Sequence, residues 1–188
     1  MPNDGAELML RFVRGDDQAF EPLLKRYENE MMNYFLRLTG ERQRAEDLTQ
    51  ELFLRVFRYR DSYKPASSFR YFIYRIARNL WIDVYRKRRV RPRTVPIDPT
   101  EESAPGVMIA EASPGPSHRV SHEEEKKRLE AALTRLPVKQ REVVVLAFHS
   151  GLKYAQIAKI MEIPVGTVKS RMNAALTTLR GLLGRDLS

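Results

Sequence analysis

Aromatic and basic side chains recur along residues 69–89 in a pattern that suits nucleic-acid binding. At 100° per residue, an apolar stripe lies on one side of a helix over this segment: Phe69, Phe72, Ile73, Ile76, Leu80 and Val84. The other side carries Tyr71, Tyr74, Arg75, Arg78, Trp81, Tyr85 and Arg89. Aromatic rings stack on unpaired bases at about 1–3 kcal/mol per base, and guanidinium groups between them hold phosphates. We therefore expect this face to bind separated strands. The alternative is that the rings pack on neighbouring helices.

A helix-turn-helix pattern predicts binding to duplex DNA. It comprises residues 154–161, a turn at 162–164 and a second helix from 165. The residues expected to pack inward are Ile157, Ala158, Ile160, Met161, Val168, Met172, Ala175 and Leu179. The second helix starts with small polar and basic groups: Gly166, Thr167, Lys169, Ser170, Arg171 and Asn173. Such groups can donate to phosphates and base edges in the major groove, although helical hairpins without DNA contacts share the pattern.

A third helix, over residues 41–60, has one apolar and one polar side. We expect Ala45, Leu48, Leu52, Phe53 and Val56 to form its core side. The opposite side carries Asp47, Gln50, Glu51, Leu54 and Arg58. Polarity alone favours a solvated face there. Leu54 at its centre instead indicates a surface for a partner.

Catalytic and metal-binding patterns are absent from the sequence. There is no Cys, and among the three histidines only His118 and His122 are four residues apart, in a proline-rich setting, so we expect no metal site. The sequence contains no Gly-rich phosphate loop, nucleophile elbow or convincing carboxylate pair. We therefore predict a protein that is not an enzyme and needs no cofactor.

Apolar residues recur at intervals of three and four on both sides of a central gap, which predicts an all-α protein. The expected helices run from about Glu7 to Arg14, Asp17 to Thr39, Glu41 to Arg60, Ser67 to Arg89, Glu123 to Arg135, Pro137 to Ser150, Tyr154 to Met161 and Val165 to Leu183. We expect Asp16 or Asp17 to cap the second helix and Gly40 to end it.

Proline content and charge divide the chain into two domains and a linker. Of the eleven prolines, six fall within residues 91–122, so we expect a flexible linker there between domains at 1–90 and 123–188. Each domain has a net charge of +5, the linker carries −1, and the whole chain carries +9. This balance favours a polyanionic partner.

Hydropathy indicates neither export nor membrane insertion. The longest apolar run, Val143 to Phe148, has six residues, whereas a membrane span needs about 18. The first seven residues are polar and acidic. We therefore expect a cytoplasmic protein without membrane insertion.

Several motifs resemble the extracytoplasmic-function (ECF) sigma factors of bacteria. In the first domain they are GDDQAF at 15–20, LTG at 38–40, AEDLTQELFLRVF at 45–57, YRIARN at 74–79 and Asp83. In the second they are LP at 136–137, QRE at 140–142, GL at 151–152, AQIA at 155–158 and PVGTVKSR at 164–171. The likeness covers nearly the whole chain in order. It implies a subunit that joins core RNA polymerase, directs it to promoters and helps to open the duplex, without polymerising chemistry of its own.

The resemblance also implies a role for particular residues. The clamp helices of the largest polymerase subunit would be bound by Asp47, Gln50, Glu51, Leu54, Arg55 and Arg58. The melted minus-ten element would be bound by Asp61, Tyr63, Lys64, Ser67, Ser68, Tyr71, Tyr74, Arg75, Arg78, Asn79 and Trp81. The minus-thirty-five duplex would be bound by Lys153, Gly166, Thr167, Lys169, Ser170, Arg171 and Asn173. An anti-sigma factor is a further expected partner.

One departure from the family pattern concerns specificity. The family often continues with an Arg-Ala-Arg run, where this chain has Ala174-Ala175-Leu176. Each absent guanidinium would be worth about 1–3 kcal/mol of guanine discrimination, so we expect a promoter sequence of its own. Two other functions remain open on the sequence: a helix-turn-helix regulator that binds duplex DNA without polymerase, and a protein that binds only acidic protein partners.

Overall fold

A computed structural model describes residues 5–64, 68–90 and 118–185, and every regular element in these ranges is helical. The eight α-helices are α1 (Ala6–Val13), α2 (Phe20–Thr39), α3 (Arg42–Arg58), α4 (Phe69–Val90), α5 (His118–Arg135), α6 (Val138–Val144), α7 (Tyr154–Met161) and α8 (Val165–Arg185). Short 3-10 turns lie at Asp17–Ala19 and Arg60–Ser62, and a π-helical turn at Val145–His149 follows α6. The predicted all-α class is confirmed. None of the described helices is long and apolar enough to cross a membrane.

Two helix boundaries differ in an informative way from the prediction. Helix α5 begins at His118, so residues 118–122, which we predicted to be linker, are helical. Helix α2 begins at Phe20, after the 3-10 turn at Asp17–Ala19, so neither Asp16 nor Asp17 caps it as predicted; Asp16 instead accepts hydrogen bonds from Arg11 at 2.6 and 2.9 Å. Gly40 ends α2 as predicted: its φ is 70°, and its N–H donates to the Leu36 carbonyl at 2.8 Å.

The first domain comprises α1 to α4, with α2 packed on α1 and α3, and α3 packed on α4. The apolar stripes predicted for α3 and α4 form its core, with Ala45, Leu52, Phe69 and Ile73 fully buried. At the start of α1, Gly5 has a φ of 90°, which favours glycine. A Cβ there would lie 2.8 Å from the Tyr27 ring, so Gly5 also permits the close approach of α1 to α2.

The second domain comprises α5 to α8, with α6 and α7 packed on α8. All eight residues predicted to pack inward from the helix-turn-helix are buried. Glu162 turns the chain between α7 and α8 with a φ of 55°, and the N–H of Ile163 donates to the Ala158 carbonyl at 3.0 Å. The predicted helix-turn-helix is confirmed.

The two domains pack against each other. Helix α4 of the first domain contacts α7, and α2 contacts both α5 and the π-helical turn. Buried apolar residues of both domains form one continuous cluster. One side of α4 is therefore covered by a domain that follows it by some 30 residues in sequence.

Candidate nucleic-acid interface

A polar cavity of about 640 Å³ lies on α4. Its lining includes Arg75, Arg78 and Asn79, three residues that the sequence predicted for the minus-ten element. Two further arginines, Arg55 from α3 and Arg86 from α4, complete the basic lining. Arg86 was missing from the predicted site, although its position eight residues after Arg78 keeps it near the same side of the helix. Four guanidinium groups around one cavity favour an anionic ligand.

The cavity arginines differ in the contacts that their guanidinium groups make with other side chains. Arg55 binds Glu51 at 2.8 Å and approaches Asp83 at 3.5 Å, so it joins α3 to α4 as well as facing the cavity. The guanidinium of Arg75 lies 5.9 Å from the centre of the Tyr71 ring. Tyr71 is half-buried. Its position beside Arg75 agrees with the expected face of aromatic rings with guanidinium groups between them.

The prediction that Tyr74 and Trp81 face water is wrong. Tyr74 is fully buried: its ring packs edge-on against Tyr34 at 5.2 Å, and its hydroxyl donates to Glu30 at 2.9 Å. Trp81 is only 6% exposed and packs near the Tyr85 ring at 5.9 Å. The helical period identified the side of α4 on which these rings lie, but not the neighbours that cover it.

The loop before α4 is exposed at most of its predicted site residues. Asp61, Lys64 and Ser68 are exposed, whereas Tyr63 is 5% exposed. The Tyr63 ring packs on Phe72 at 5.3 Å, so this predicted minus-ten residue lies in the core and not on the surface. Ser67 lies outside the described residues.

The surface of α3 predicted to bind polymerase is largely exposed. Asp47, Gln50 and Arg58 are exposed, Glu51 and Arg55 are half-buried, and Leu54 is 53% exposed. An apolar groove of about 360 Å³ adjoins it, with a lining that includes Leu54, Phe53, Phe20, Leu24 and Phe57.

The sequence-based site omitted two exposed aromatic residues, Phe57 beside Leu54 and Tyr59 in the lining of the arginine-rich cavity. Phe57 is 42% exposed and Tyr59 is 54% exposed. Phe57 follows Leu54 by three residues, so the two side chains are neighbours on the helix surface. That spacing is the sequence signal from which Phe57 could have been predicted as part of this surface. Exposed leucine and phenylalanine together make this a surface with a strong apolar component.

The predicted duplex-binding residues lie at the start of α7 and α8. Lys153, Gly166, Lys169, Ser170 and Asn173 are exposed. Thr167 and Arg171 are half-buried, and the Ser170 hydroxyl donates to the Thr167 carbonyl at 3.0 Å. The structure therefore brings together at the start of α8 the polar and basic groups that the sequence placed there.

Packing partly explains why this chain has Ala174-Ala175-Leu176 in place of the family's Arg-Ala-Arg run. Ala175 is fully buried on the core side of α8, and Leu176 packs partly against the same core. Ala174 is exposed. Of the three positions, only Ala174 therefore leaves the exposed face of α8 without a side chain long enough to reach a base.

Two charged neighbours on α6 are buried at the domain boundary. Arg141 is 4% exposed and Glu142 is 1% exposed. Burial raises the pKa of Glu142 to about 7, against the opposing effect of Arg78 and Arg171. Burial also lowers the pKa of Arg141 to about 10. No group of His, Asp and Glu side chains within the described ranges could hold a metal ion.

Comparison with known families accounts for both domains. Residues 23–91 match Sigma-70 region 2, and residues 126–179 match Sigma-70, region 4. The ECF RNA polymerase sigma factor EcfG of Rhodopseudomonas palustris is 38% identical over 176 residues, which cover 93% of this chain and 86% of that protein. The chain belongs to the ECF family of RNA polymerase sigma factors. The ECF sigma factor SigE of Mycolicibacterium smegmatis is 34% identical, with 100% of this chain and 72% of that protein covered.

Solved structures share the fold of this ECF sigma factor. A chain in the structure of CnrH in complex with the cytosolic domain of CnrY superposes with a TM-score of 0.71 at 21% identity, with 97% of this chain and 99% of that chain covered. A chain in the co-crystal structure of the sigma factor RpoE with the anti-sigma factor NepR from Bartonella quintana has a TM-score of 0.64 at 25% identity. That match covers 88% of this chain and 96% of the other.

Proposed function

We propose that the chain acts as an alternative sigma factor that binds core RNA polymerase, recognises minus-ten and minus-thirty-five promoter elements and promotes melting of the duplex. The observation that carries this proposal is the combination, in one basic member of the ECF family, of an arginine-lined cavity on α4 with a helix-turn-helix. The protein supplies binding surfaces and no catalytic group, because polymerisation belongs to the core enzyme. It would work in the cytoplasm, where polymerase and DNA meet.

The exposed side of α3 is the proposed docking surface for the clamp helices of the largest polymerase subunit. Leu54 supplies an apolar anchor, and the adjoining groove supplies a concave apolar site. Asp47 and Gln50 on the same side supply acceptors for a basic partner. Apolar anchors surrounded by polar groups are the usual composition of a protein interface.

The α4 cavity is the proposed site for the melted minus-ten element. Arg75 and Arg78 would hold phosphates, Asn79 would bind at the upstream edge, and Tyr71 would stack on an unpaired base. Flipping a base from the duplex costs a few kcal/mol, and each stacked base returns about 1–3 kcal/mol. Binding energy alone can therefore drive opening without ATP hydrolysis. The exposed Lys64 lies before α4, where it would add to the attraction of the phosphate chain.

Helix α8 is the proposed reader of the minus-thirty-five element. The exposed Lys169, Ser170 and Asn173 lie in its first turns and can reach phosphates and base edges in the major groove. Ala174 provides no donor at the next exposed position, so the promoter sequence should be read experimentally from transcript starts.

An anti-sigma factor is a further proposed partner. Support comes from the RpoE relative, whose co-crystal structure contains the anti-sigma factor NepR. The apolar groove beside Leu54 suits such a partner as well as it suits polymerase, because both would bury the same exposed leucine and phenylalanine.

The proposal is tested by measuring the affinity of the purified chain for core RNA polymerase and, separately, for promoter duplexes with and without core. A sigma factor binds core tightly and recognises the promoter only in its company. Tight, sequence-specific binding without core, together with no affinity for core, would show a helix-turn-helix regulator instead. Promoter binding with a log-log salt slope near zero would indicate a protein-only partner, because each phosphate contact adds about −0.9 to that slope.

A further inference from the structure

Two aromatic rings, those of Tyr59 and Phe72, lie in the lining of the α4 cavity, and they differ in exposure. Tyr59 is 54% exposed, whereas Phe72 is 2% exposed. Tyr71, for which we proposed stacking, lies beside Arg75 and does not belong to this lining. Tyr59 therefore offers a ring surface to a ligand inside the cavity.

Tyr59 is held in place through its backbone. It follows the last residue of α3, and its N–H donates to the Arg55 carbonyl at 2.9 Å. Its carbonyl accepts from the N–H of Ser62 at 2.9 Å and from the Ser62 hydroxyl at 2.7 Å. None of the other aromatic rings in the described ranges packs on the Tyr59 ring. A fixed backbone that presents a free ring is pre-organised for binding.

The rest of the cavity lining suits the other parts of a nucleotide. Phe72, Ile76 and Ile82 supply apolar surface, and the exposed Asn79 and Asp83 supply groups that can bind the edge of a base. The arginines of the lining can bind the adjoining phosphates. The volume of about 640 Å³ lies within the range of about 300–1,000 Å³ that is usual for ligand cavities.

Tyr59 belongs to the α4 cavity and not to the apolar groove proposed for polymerase. Phe57, two residues earlier, lines the groove, and the linings of the groove and of the cavity have no residue in common. Tyr59 follows Arg55 by four residues, which is about one helical turn, and Arg55 also lines the cavity. The end of α3 therefore divides two exposed aromatic residues between two surfaces.

We propose that Tyr59 is a platform on which one unpaired base of the minus-ten element stacks inside the α4 cavity. This inference rests on the proposed function and adds a second stacked base to the one proposed for Tyr71. Tyr59 takes the part that the sequence indicated for Tyr74 and Trp81, both of which are buried.

The stacking is tested in the holoenzyme with fork DNA that carries 2-aminopurine, a fluorescent base that stacking quenches, at one single-stranded minus-ten position at a time. Tyr59→Ala should raise the fluorescence at one position and leave the others unchanged. Tyr59→Phe should retain the quenching, because the ring remains. Tyr59→Leu should behave like Tyr59→Ala, because an apolar side chain without a flat ring cannot stack. Equal fluorescence of Tyr59→Ala and the parent at every position would overturn the proposal.

Affinity for the same fork DNA at saturating core provides a second measurement. Tyr59→Ala should bind about 5- to 140-fold more weakly than the parent, which is about 1–3 kcal/mol per stacked base converted at about 1.4 kcal/mol for each tenfold. Phe148→Ala is the matched control, because it removes a ring that is 65% exposed in the second domain and outside the cavity lining. Equal losses in the two variants on a fork without a minus-thirty-five element would contradict a specific role of Tyr59.

Affinity for core polymerase separates this inference from the proposed function. Tyr59→Ala should bind core as tightly as the parent, which also shows that the variant is folded. Weaker core binding would assign the ring to the polymerase interface and overturn the proposal. Failure of the parent chain itself to bind core would refute the sigma-factor function, and the role of Tyr59 with it.

Discussion

The buried carboxyl of Glu142 makes the stability of this protein depend on pH in a predictable direction. Its pKa is about 7 in the folded chain, because burial disfavours the charged form, and its ordinary value is 4.5. Between these two values the folded chain retains a proton that the unfolded chain has lost. The stabilisation is thus complete below pH 4.5, declines as pH rises, and is lost above pH 7.

The expected size follows from the same two values. With 1.36 kcal/mol for each pKa unit, the contribution of Glu142 falls by about 2.5 kcal/mol between pH 5 and pH 8. The groups that face Glu142 are Arg78 on α4, Arg171 on α8, Lys139 on α6 and the Tyr34 hydroxyl on α2. The three cations hold the pKa of Glu142 lower than burial alone would.

Urea unfolding at pH 5 and pH 8 measures this effect when the wild type is compared with Glu142→Gln. Glutamine cannot ionise, so its free energy of unfolding relative to wild type should rise by about 2.5 kcal/mol from pH 5 to pH 8. Glu130→Gln, at an exposed position of α5, is the control and should follow the wild type at both pH values. Parallel profiles for Glu142→Gln and wild type would refute the burial argument.

Four further substitutions test separate parts of the structure. Gly5→Ala should destabilise the chain by about 1–3 kcal/mol in urea unfolding, because the new Cβ lies 2.8 Å from a ring carbon of α2. Gly15→Ala, which has a similar φ of 96° and no atom within 4 Å of the new Cβ, should cost about 1 kcal/mol. Leu54→Asp should weaken core binding at least about tenfold without lowering the Tm, since the side chain is already 53% exposed. Lys169→Ala should reduce the salt slope of holoenzyme binding to minus-thirty-five duplexes by about one.

Each of these substitutions has a result that contradicts it. Equal costs for the two glycine variants would mean that backbone strain, and not the close approach of α1 to α2, determines the effect at Gly5. A lower Tm for Leu54→Asp would mean that Leu54 stabilises the folded chain and is not reserved for an interface. An unchanged salt slope for Lys169→Ala would remove that lysine from the DNA contact.

Residues that pack within one helix pair were predictable from the sequence, because their position depends only on the helical period. The inward stripes of α3 and α8 were confirmed in full, and that of α4 was confirmed except that Val84 is only partly buried. Gly40 was predicted for the same kind of local reason, since a left-handed residue must follow the last turn of α2.

Residues at the domain boundary were not predictable, because their environment is set by segments far away in sequence. Tyr74 and Trp81 lie on the predicted side of α4, yet they are buried among neighbours that the period of α4 does not reveal. Glu142 has no local feature that distinguishes it from a surface carboxylate. Its burial follows from packing of α6 near Arg78, which precedes it by 64 residues in the sequence.

The interpretation of the aromatic face of α4 changes accordingly. The cavity lining includes arginines, Asn79 and the exposed ring of Tyr59, and the half-buried Tyr71 lies beside Arg75. The proposed melting therefore depends more on the attraction of phosphates to these arginines, and less on the stacking of bases on rings, than the sequence indicated. Tyr63 supports the cavity because it packs on Phe72, which lines it, whereas Tyr74 packs on Tyr34 in the core.

Reconstituted transcription tests the sigma-factor function most directly. Purified core polymerase, the full chain and a DNA template that bears a promoter mapped after overexpression are combined, and run-off transcripts and permanganate reactivity of the template are recorded. Transcripts of defined length and reactive thymines at the minus-ten element should appear only when core and this chain are both present. Transcripts that do not depend on the chain, or a duplex that stays unreactive in the full mixture, would contradict the account.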